Sequence, residues 1–161
     1  MSLEFIKPQL ASAVDHPPPR AGWIHEVKYD GYRTLLIIER RKAHAYTRNG
    51  FDWSESYLGI TKATAKLECR SAIIDGEIIV QDQRGVSDFE SLKSAIRWQP
   101  HRLVFCAFDL LHLNGKDLRD RPAGAKGQIE RTCSQRTPLS IQRRVHRRRR
   151  CILPSLCRSS A

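Results

Sequence analysis

Short apolar or alternating runs, broken by turn residues, dominate the first 120 positions and predict strands joined by hairpins. Trp23-Ile24-His25-Glu26-Val27 alternates as a strand, with Lys28 at its end. Arg33 to Glu39 and Ala43 to Arg48 read as two more strands, joined by a tight polar turn at Arg40-Arg41-Lys42. Asn49-Gly50 closes the second with a turn that favours positive φ. Ala72 to Val80 is an apolar strand interrupted by Asp75-Gly76-Glu77, and Leu103 to Leu113 is another, ending at a hairpin-type Asn114-Gly115. Two helices are expected. One covers 54–67 with Ser54 as its cap; the other starts at Ser87-Asp88-Phe89-Glu90, where an acid follows the Ser cap by three positions, and runs to about Trp98. Residues 5–22 read as an extended lead-in, since Pro8 and Pro17-Pro18-Pro19 exclude regular helix. Hairpins with a few interspersed helices predict an α+β fold with largely antiparallel sheets.

Composition changes this picture mainly at the C-terminal end. The 161 residues suffice for one domain with a hydrophobic core but not for two large ones. The net charge of +11 suggests a nucleic-acid binder until its distribution is read. Residues 1–120 carry 17 Lys+Arg against 16 Asp+Glu, whereas residues 121–161 carry 11 against the single acid Glu130. After Pro122 neither period is sustained, and the tail contains the run Arg143-Arg144-Val145-His146-Arg147-Arg148-Arg149-Arg150. Such a tail could be a solvated nucleic-acid-binding arm. An arginine-rich, cysteine-bearing stretch almost without acids is also what a GC-rich gene yields out of phase. The expectation for 123–161 is therefore a disordered or frameshifted segment. The five cysteines form no CxxC pair, which fits a reducing compartment. No run approaches the ~20 apolar residues of a membrane span, and no signal peptide opens the chain, so a cytoplasmic location is expected.

The chemistry gathers on the strands. A lysine that attacks phosphorus must lose its proton and sit in line with a phosphate, on a rigid base. Lys28 at a strand end, followed by Asp30-Gly31, supplies that base and a glycine that permits close backbone approach. Arg33 follows with a planar fork for anionic oxygens. Four letters of this kind occur often by chance, and taken alone they are better explained by an ordinary charged strand end. The company they keep is not. Arg48-Asn49-Gly50 follows Lys28 by 20 residues, and Asp75-Gly76-Glu77 and Phe108-Asp109 interrupt apolar strands, where carboxylates require a metal, cation or hydroxyl partner.

The series Glu26-Val27-Lys28-Tyr29-Asp30-Gly31-Tyr32-Arg33, Thr47-Arg48-Asn49-Gly50, Asp75-Gly76-Glu77 and Ala107-Phe108-Asp109-Leu110-Leu111-His112-Leu113-Asn114-Gly115 resembles the nucleotidyltransferase (adenylation) domain of ATP-dependent DNA ligases. It is most similar to the bacterial ligases of non-homologous end joining, which share the Pro-Gln-Leu-Ala lead-in and the Trp-x-His-Glu strand. The resemblance covers residues 5–122, the N-terminal part of such a domain, and implies an ATP-grasp-like nucleotidyltransferase fold incomplete at its C-terminus. It implies that Lys28 attacks the α-phosphate of ATP and carries AMP. Glu26 would accept from the adenine amino group, Arg33 and Arg48 would hold phosphate or ribose, and Phe108 would stack on adenine. Glu77 would bind ribose and, with Asp30, serve Mg²⁺ or Mn²⁺. The implied partners are nicked or broken double-stranded DNA and end-joining proteins, with no membrane; the implied state is a nucleoid-associated bacterial monomer.

The resemblance ends near Pro122. A Glu-Gly-x-x-x-Lys strand, a Lys-x-Lys strand and an OB-fold domain belong to the family pattern and do not follow. Activity of the chain as given is thus open, and a non-catalytic remnant with a basic tail is the competing class. An RNA ligase or capping-type guanylyltransferase shares the lysine chemistry, but Trp-x-His-Glu and Thr-Arg-Asn-Gly argue against it. Trp53 and Trp98 could stack on bases, although rim positions explain them as well. His25 and His112 read as packing residues, and Arg40-Arg41-Lys42 as a solvated turn.

Overall fold

The computed structural model describes residues 2–10, 12, 15–16, 24–25, 28–120, 139–141 and 150–151. They belong to two compact units, Met1–Pro8 with Asp30–Ile141 and Gln9–Tyr29 with Gln142–Ala161. In the second unit β1 (Ile24–His25) runs parallel to a two-residue strand at Arg150–Cys151.

The first unit is built on β2 (Tyr32–Glu39), β3 (Lys42–Thr47), α1 (Leu58–Thr64), β4 (Ser71–Ile79), α2 (Phe89–Trp98), a 3-10 turn at Pro100–Arg102, β5 (Val104–Leu113), β6 (Lys116–Asp117) and β7 (Leu139–Ile141). The sheet order is β3-β2-β4-β5-β6, antiparallel throughout, with β7 added parallel to β5. The expected α+β fold with largely antiparallel pairing is what forms.

Side-chain alternation divides the core between the two sheet faces. Leu36, Ile38, Ile74, Ile78, Phe105 and Leu110 face the helices and pack with Tyr57, Ile60, Leu92 and Ala95. On the opposite face Leu35, Ile37, Ile73 and Leu111 are covered by Leu3, Phe5 and Ile6. The first residues of the chain, Leu3 to Ile6, therefore form a strap over the sheet. The Ser2 hydroxyl and the Leu3 N–H both donate to the Glu39 carboxylate, at 2.9 and 2.8 Å, and hold its carboxyl below the usual range.

Several local expectations shift. The first hairpin turns on Arg40 and Arg41, both at positive φ (48° and 63°), so Lys42 already belongs to β3 and pairs with Glu39. The helix expected over 54–67 is only Leu58–Thr64, without a side-chain cap. Ser54 instead accepts the Ala45 N–H at 3.0 Å, satisfying a β3 donor. The second helix is capped one residue later than its pattern suggests: Asp88, not Ser87, accepts the Ser91 N–H at 3.0 Å. Between 123 and 161, where no period predicts any element, two short strands occur, and the rest of that stretch lies outside the described residues.

Candidate functional site

Gly31 fixes how β2 begins. A Cβ there would collide with the Ile78 carbonyl oxygen on β4 and crowd Ile79, so only glycine lets the two strands close at this point. The close approach expected of this glycine is thus to the neighbouring strand. Immediately before it, the Asp30 N–H donates to the Ser87 hydroxyl at 3.1 Å. This tie explains why Ser87 is not the helix cap, and Ser87 has no place in the sequence motif.

Arg33 follows on β2 and pairs in register with Glu77 on β4. Its Nε and a terminal nitrogen each donate to one oxygen of Asp75 at 2.7 Å, a bidentate charge-assisted pair. The same guanidinium lies over the Phe108 ring, 4.3 Å from its centroid. Phe108 reaches it through irregular pairing. On β5, Asp109 opposes Asp75 while Ala107 opposes Gly76, leaving Phe108 as the extra residue of a bulge that re-aims its side chain. Gly76 makes room on the other face, where a Cβ would strike the Phe105 ring. Asp109, nearly buried, accepts its neighbour's N–H from Leu110 at 2.9 Å.

The electrostatics centre on the arginine. Burial works to lower the pKa of Arg33, but its bonds to Asp75 and the charges of Asp75, Glu77 and Asp109 outweigh this and hold it firmly cationic. Burial pushes the Asp75 carboxyl up; Arg33 opposes that shift and Asp109 reinforces it. Arg33 is thus shared among three carboxylates rather than neutralised by one.

Of the residues singled out in the sequence, Arg33 and Phe108 touch directly, and Glu77 bears on Arg33 through its charge. Arg48 occupies the turn after β3, where Gly50 (φ +84°) donates to the Thr47 carbonyl at 2.9 Å and is backed by the Phe5 ring. Lys28 is exposed and belongs to the second unit, and Glu26 lies outside the described residues. Asp75 and Ser87 carry no site role in the sequence reading. The signal for Asp75 is its place inside an apolar strand, which calls for a metal, a cation or a hydroxyl, and the structure supplies the cation. Ser87 gave none beyond a misleading cap pattern.

Among the described residues, no group of three or more His, Cys, Asp or Glu gathers to hold a metal. An ion held by one or two carboxylates plus substrate phosphates, as Mg²⁺ usually is, does not require such a group. No helix among the described residues is long and apolar enough to cross a membrane.

Residues 8–149 match the family model of the ATP-dependent DNA ligase domain. The multifunctional non-homologous end joining protein LigD of Pseudomonas aeruginosa is 41% identical over 118 residues, 73% of this chain and 14% of that protein. The bifunctional non-homologous end joining protein LigD of Bacillus subtilis is 34% identical over 128 residues, 70% of this chain and 20% of that protein. Among solved structures, the ligase domain of M. tuberculosis LigD superposes with a TM-score of 0.64 at 28% identity, covering 75% of this chain and 40% of that one. Mycobacterial DNA ligase D complexed with ATP and MES gives 0.63 at 26% identity, covering 76% and 40%. The chain therefore spans a small part of these curated relatives and less than half of the solved ligase chains.

Proposed function

The chain belongs to the ATP-dependent DNA ligase family, and from that premise we propose that it takes up AMP from ATP on Lys28 and passes it to a DNA 5′-phosphate. The neutral Lys28 amine attacks the α-phosphorus of ATP, a P–N bond forms, the bond to the β-phosphate oxygen breaks, and pyrophosphate leaves. AMP then moves to the 5′-phosphate of a nick, and the 3′-hydroxyl displaces it to join the strand. The substrates are nicked or broken duplex DNA, and the setting is bacterial end joining, with end-joining proteins as partners.

The observation that carries this reading is the Arg33–Asp75–Phe108 cluster at the start of the strand that follows the lysine motif. Asp75 and Phe108 hold the guanidinium flat and in one orientation, so it presents a preorganised cation to phosphate or ribose oxygens. One face of Phe108 carries Arg33, and the other is assigned to adenine. Glu26 reads the adenine amino group, and Arg48 supplies a second cation from its turn. A bound Mg²⁺, held by Glu77 and Asp30 with phosphate oxygens, would neutralise the charge on the departing pyrophosphate.

The test is incubation with α-labelled ATP and Mg²⁺, followed by a denaturing gel. A label that disappears in Lys28→Ala supports the reading. A native chain that takes no label overturns it, and a label from GTP instead of ATP would favour a capping-type enzyme.

A further inference from the structure

The α2 surface carries chemistry that the nucleotide cluster does not use. Its buried side is Leu92 and Ala95. Its exposed side carries the cations Lys93 and Arg97 four positions apart, each over a ring, although the Phe89 ring itself packs partly on the core. Lys93 lies over the Phe89 ring at 5.4 Å, and Arg97, one turn on, lies over Trp98 at 4.7 Å. Trp98 is 70% exposed, the largest value among the exposed large hydrophobic residues. Residues 93–102 add Arg102 and His101 and contain no acid, and the acids at the other end, Asp88 and Glu90, sit in the cap and first turn.

Basic residues in a last turn complement the helix dipole, which explains one of these charges without a ligand. It does not explain an indole left in water beneath a guanidinium. Stacking on Trp98 removes rotamer freedom from the exposed Arg97 guanidinium. Phe89 does the same, less closely, for Lys93. Positions four apart on a helix lie about 6 Å apart. One DNA strand rises about 3.4 Å per phosphate, so the two cations match phosphates one or two apart.

We propose that the Lys93–Arg97–Trp98 stripe of α2 docks the sugar-phosphate backbone of duplex DNA. This rests on the ligase reading for the identity of the polyanion, and on the stripe alone for its location. Contacts of this kind position the duplex and carry no sequence information.

The experiment titrates nicked duplex DNA against the full chain by fluorescence anisotropy over a range of salt, with three proteins: the native chain, Lys93→Gln/Arg97→Gln, and Lys62→Gln/Lys66→Gln. The last removes the same charge from exposed positions at α1. Two lost phosphate contacts should lower the log Kd against log salt slope by about 1.8. The α1 pair should leave it within about 0.3 of native. An unchanged slope in the α2 pair, an equal fall in both pairs, or no binding by the native chain overturns the proposal. Labelling of the native chain by ATP is read in parallel. A slope loss without label keeps the docking stripe and removes the ligase reading, and a label without slope loss does the reverse.

Discussion

Arg33 and Asp75 meet fork to fork across adjacent strands, both bonds 2.7 Å, with Asp75 almost buried and Arg33 still 24% exposed in its side chain. That asymmetry predicts unequal mutants. Asp75→Ala leaves a cation that retains water and the Phe108 face, whereas Arg33→Ala leaves a carboxylate buried beside Asp109. Removing one partner of a fully buried pair costs about 3–5 kcal/mol. Partial exposure reduces this to roughly 1–2 kcal/mol for Asp75→Ala, with Arg33→Ala the costlier. Urea midpoints at pH 7 check the order.

The pH dependence follows from the sign of the Asp75 shift. Its folded pKa is already raised by burial, and loss of Arg33 raises it further. A group raised on folding contributes stability that is present below its unfolded pKa and is lost as pH rises through the folded value. The deficit of Arg33→Ala should therefore shrink as pH falls from 7 towards 4. A deficit that grows on acidification would show that Asp75 does not carry the buried charge.

The strands and the residue order of the cluster were legible because alternation and turn residues report directly on a sheet with one face on each core. Asp75 in an apolar strand signalled a metal, cation or hydroxyl partner, and that partner is the arginine of the lysine motif. Helix limits were less legible. Ser54 and Ser87 both look like caps in sequence, yet their hydroxyls serve backbone N–H groups 9 and 57 residues away. Local pattern cannot show a partner that only the folded sheet supplies. The bulge that turns Phe108 onto Arg33 was equally hidden, since bulges leave no periodic trace.

Gly31 is expected to tolerate no side chain. Its Cβ would meet backbone on β4 rather than a flexible tip, so β2 and β4 would have to separate at the edge of the cluster. Gly31→Ala should cost about 1–3 kcal/mol, as overpacking usually does. Gly59→Ala is the control, because a Cβ at that exposed helical position meets nothing within 4 Å and removes a poor helix former. Thermal melts of both separate the two effects, and equal melting temperatures would contradict the close approach at Gly31.

The strap over the second core should loosen in acid. Glu39 holds it through the Leu3 N–H and the Ser2 hydroxyl, and these bonds depress its pKa. A depressed carboxyl contributes stability above its unfolded pKa and loses it as pH falls through the folded value. Leu3 amide exchange, corrected for its intrinsic pH dependence, should speed up below about pH 4, near the ordinary glutamate pKa. Glu39→Gln should show the faster exchange at neutral pH and converge with the native chain in acid. Phe5 is part of the same strap and backs Gly50, so the Arg48 turn should broaden in the same spectra. Exchange independent of pH in the native chain would mean that Leu3, Phe5 and Ile6 hold the strap by packing alone.

Ser87 offers the sharpest separation of structure from chemistry. Its hydroxyl accepts the N–H of Asp30, an exposed residue two positions after Lys28. Losing one such bond costs about 0.5–1.5 kcal/mol. If the tie steadies the chain that carries the nucleophile, Ser87→Ala should slow Lys28 labelling by about 10-fold, near the upper end of that range. The ATP concentration for half-maximal labelling should stay unchanged, because none of the nucleotide contacts assigned to Arg33, Phe108 or Glu26 is touched. Ser87→Thr keeps the hydroxyl and should restore the rate. Labelling of Ser87→Ala at the native rate would reduce the bond to a local fastening of the Asp30 turn. A raised ATP requirement would instead place Ser87 among the residues that shape the nucleotide pocket.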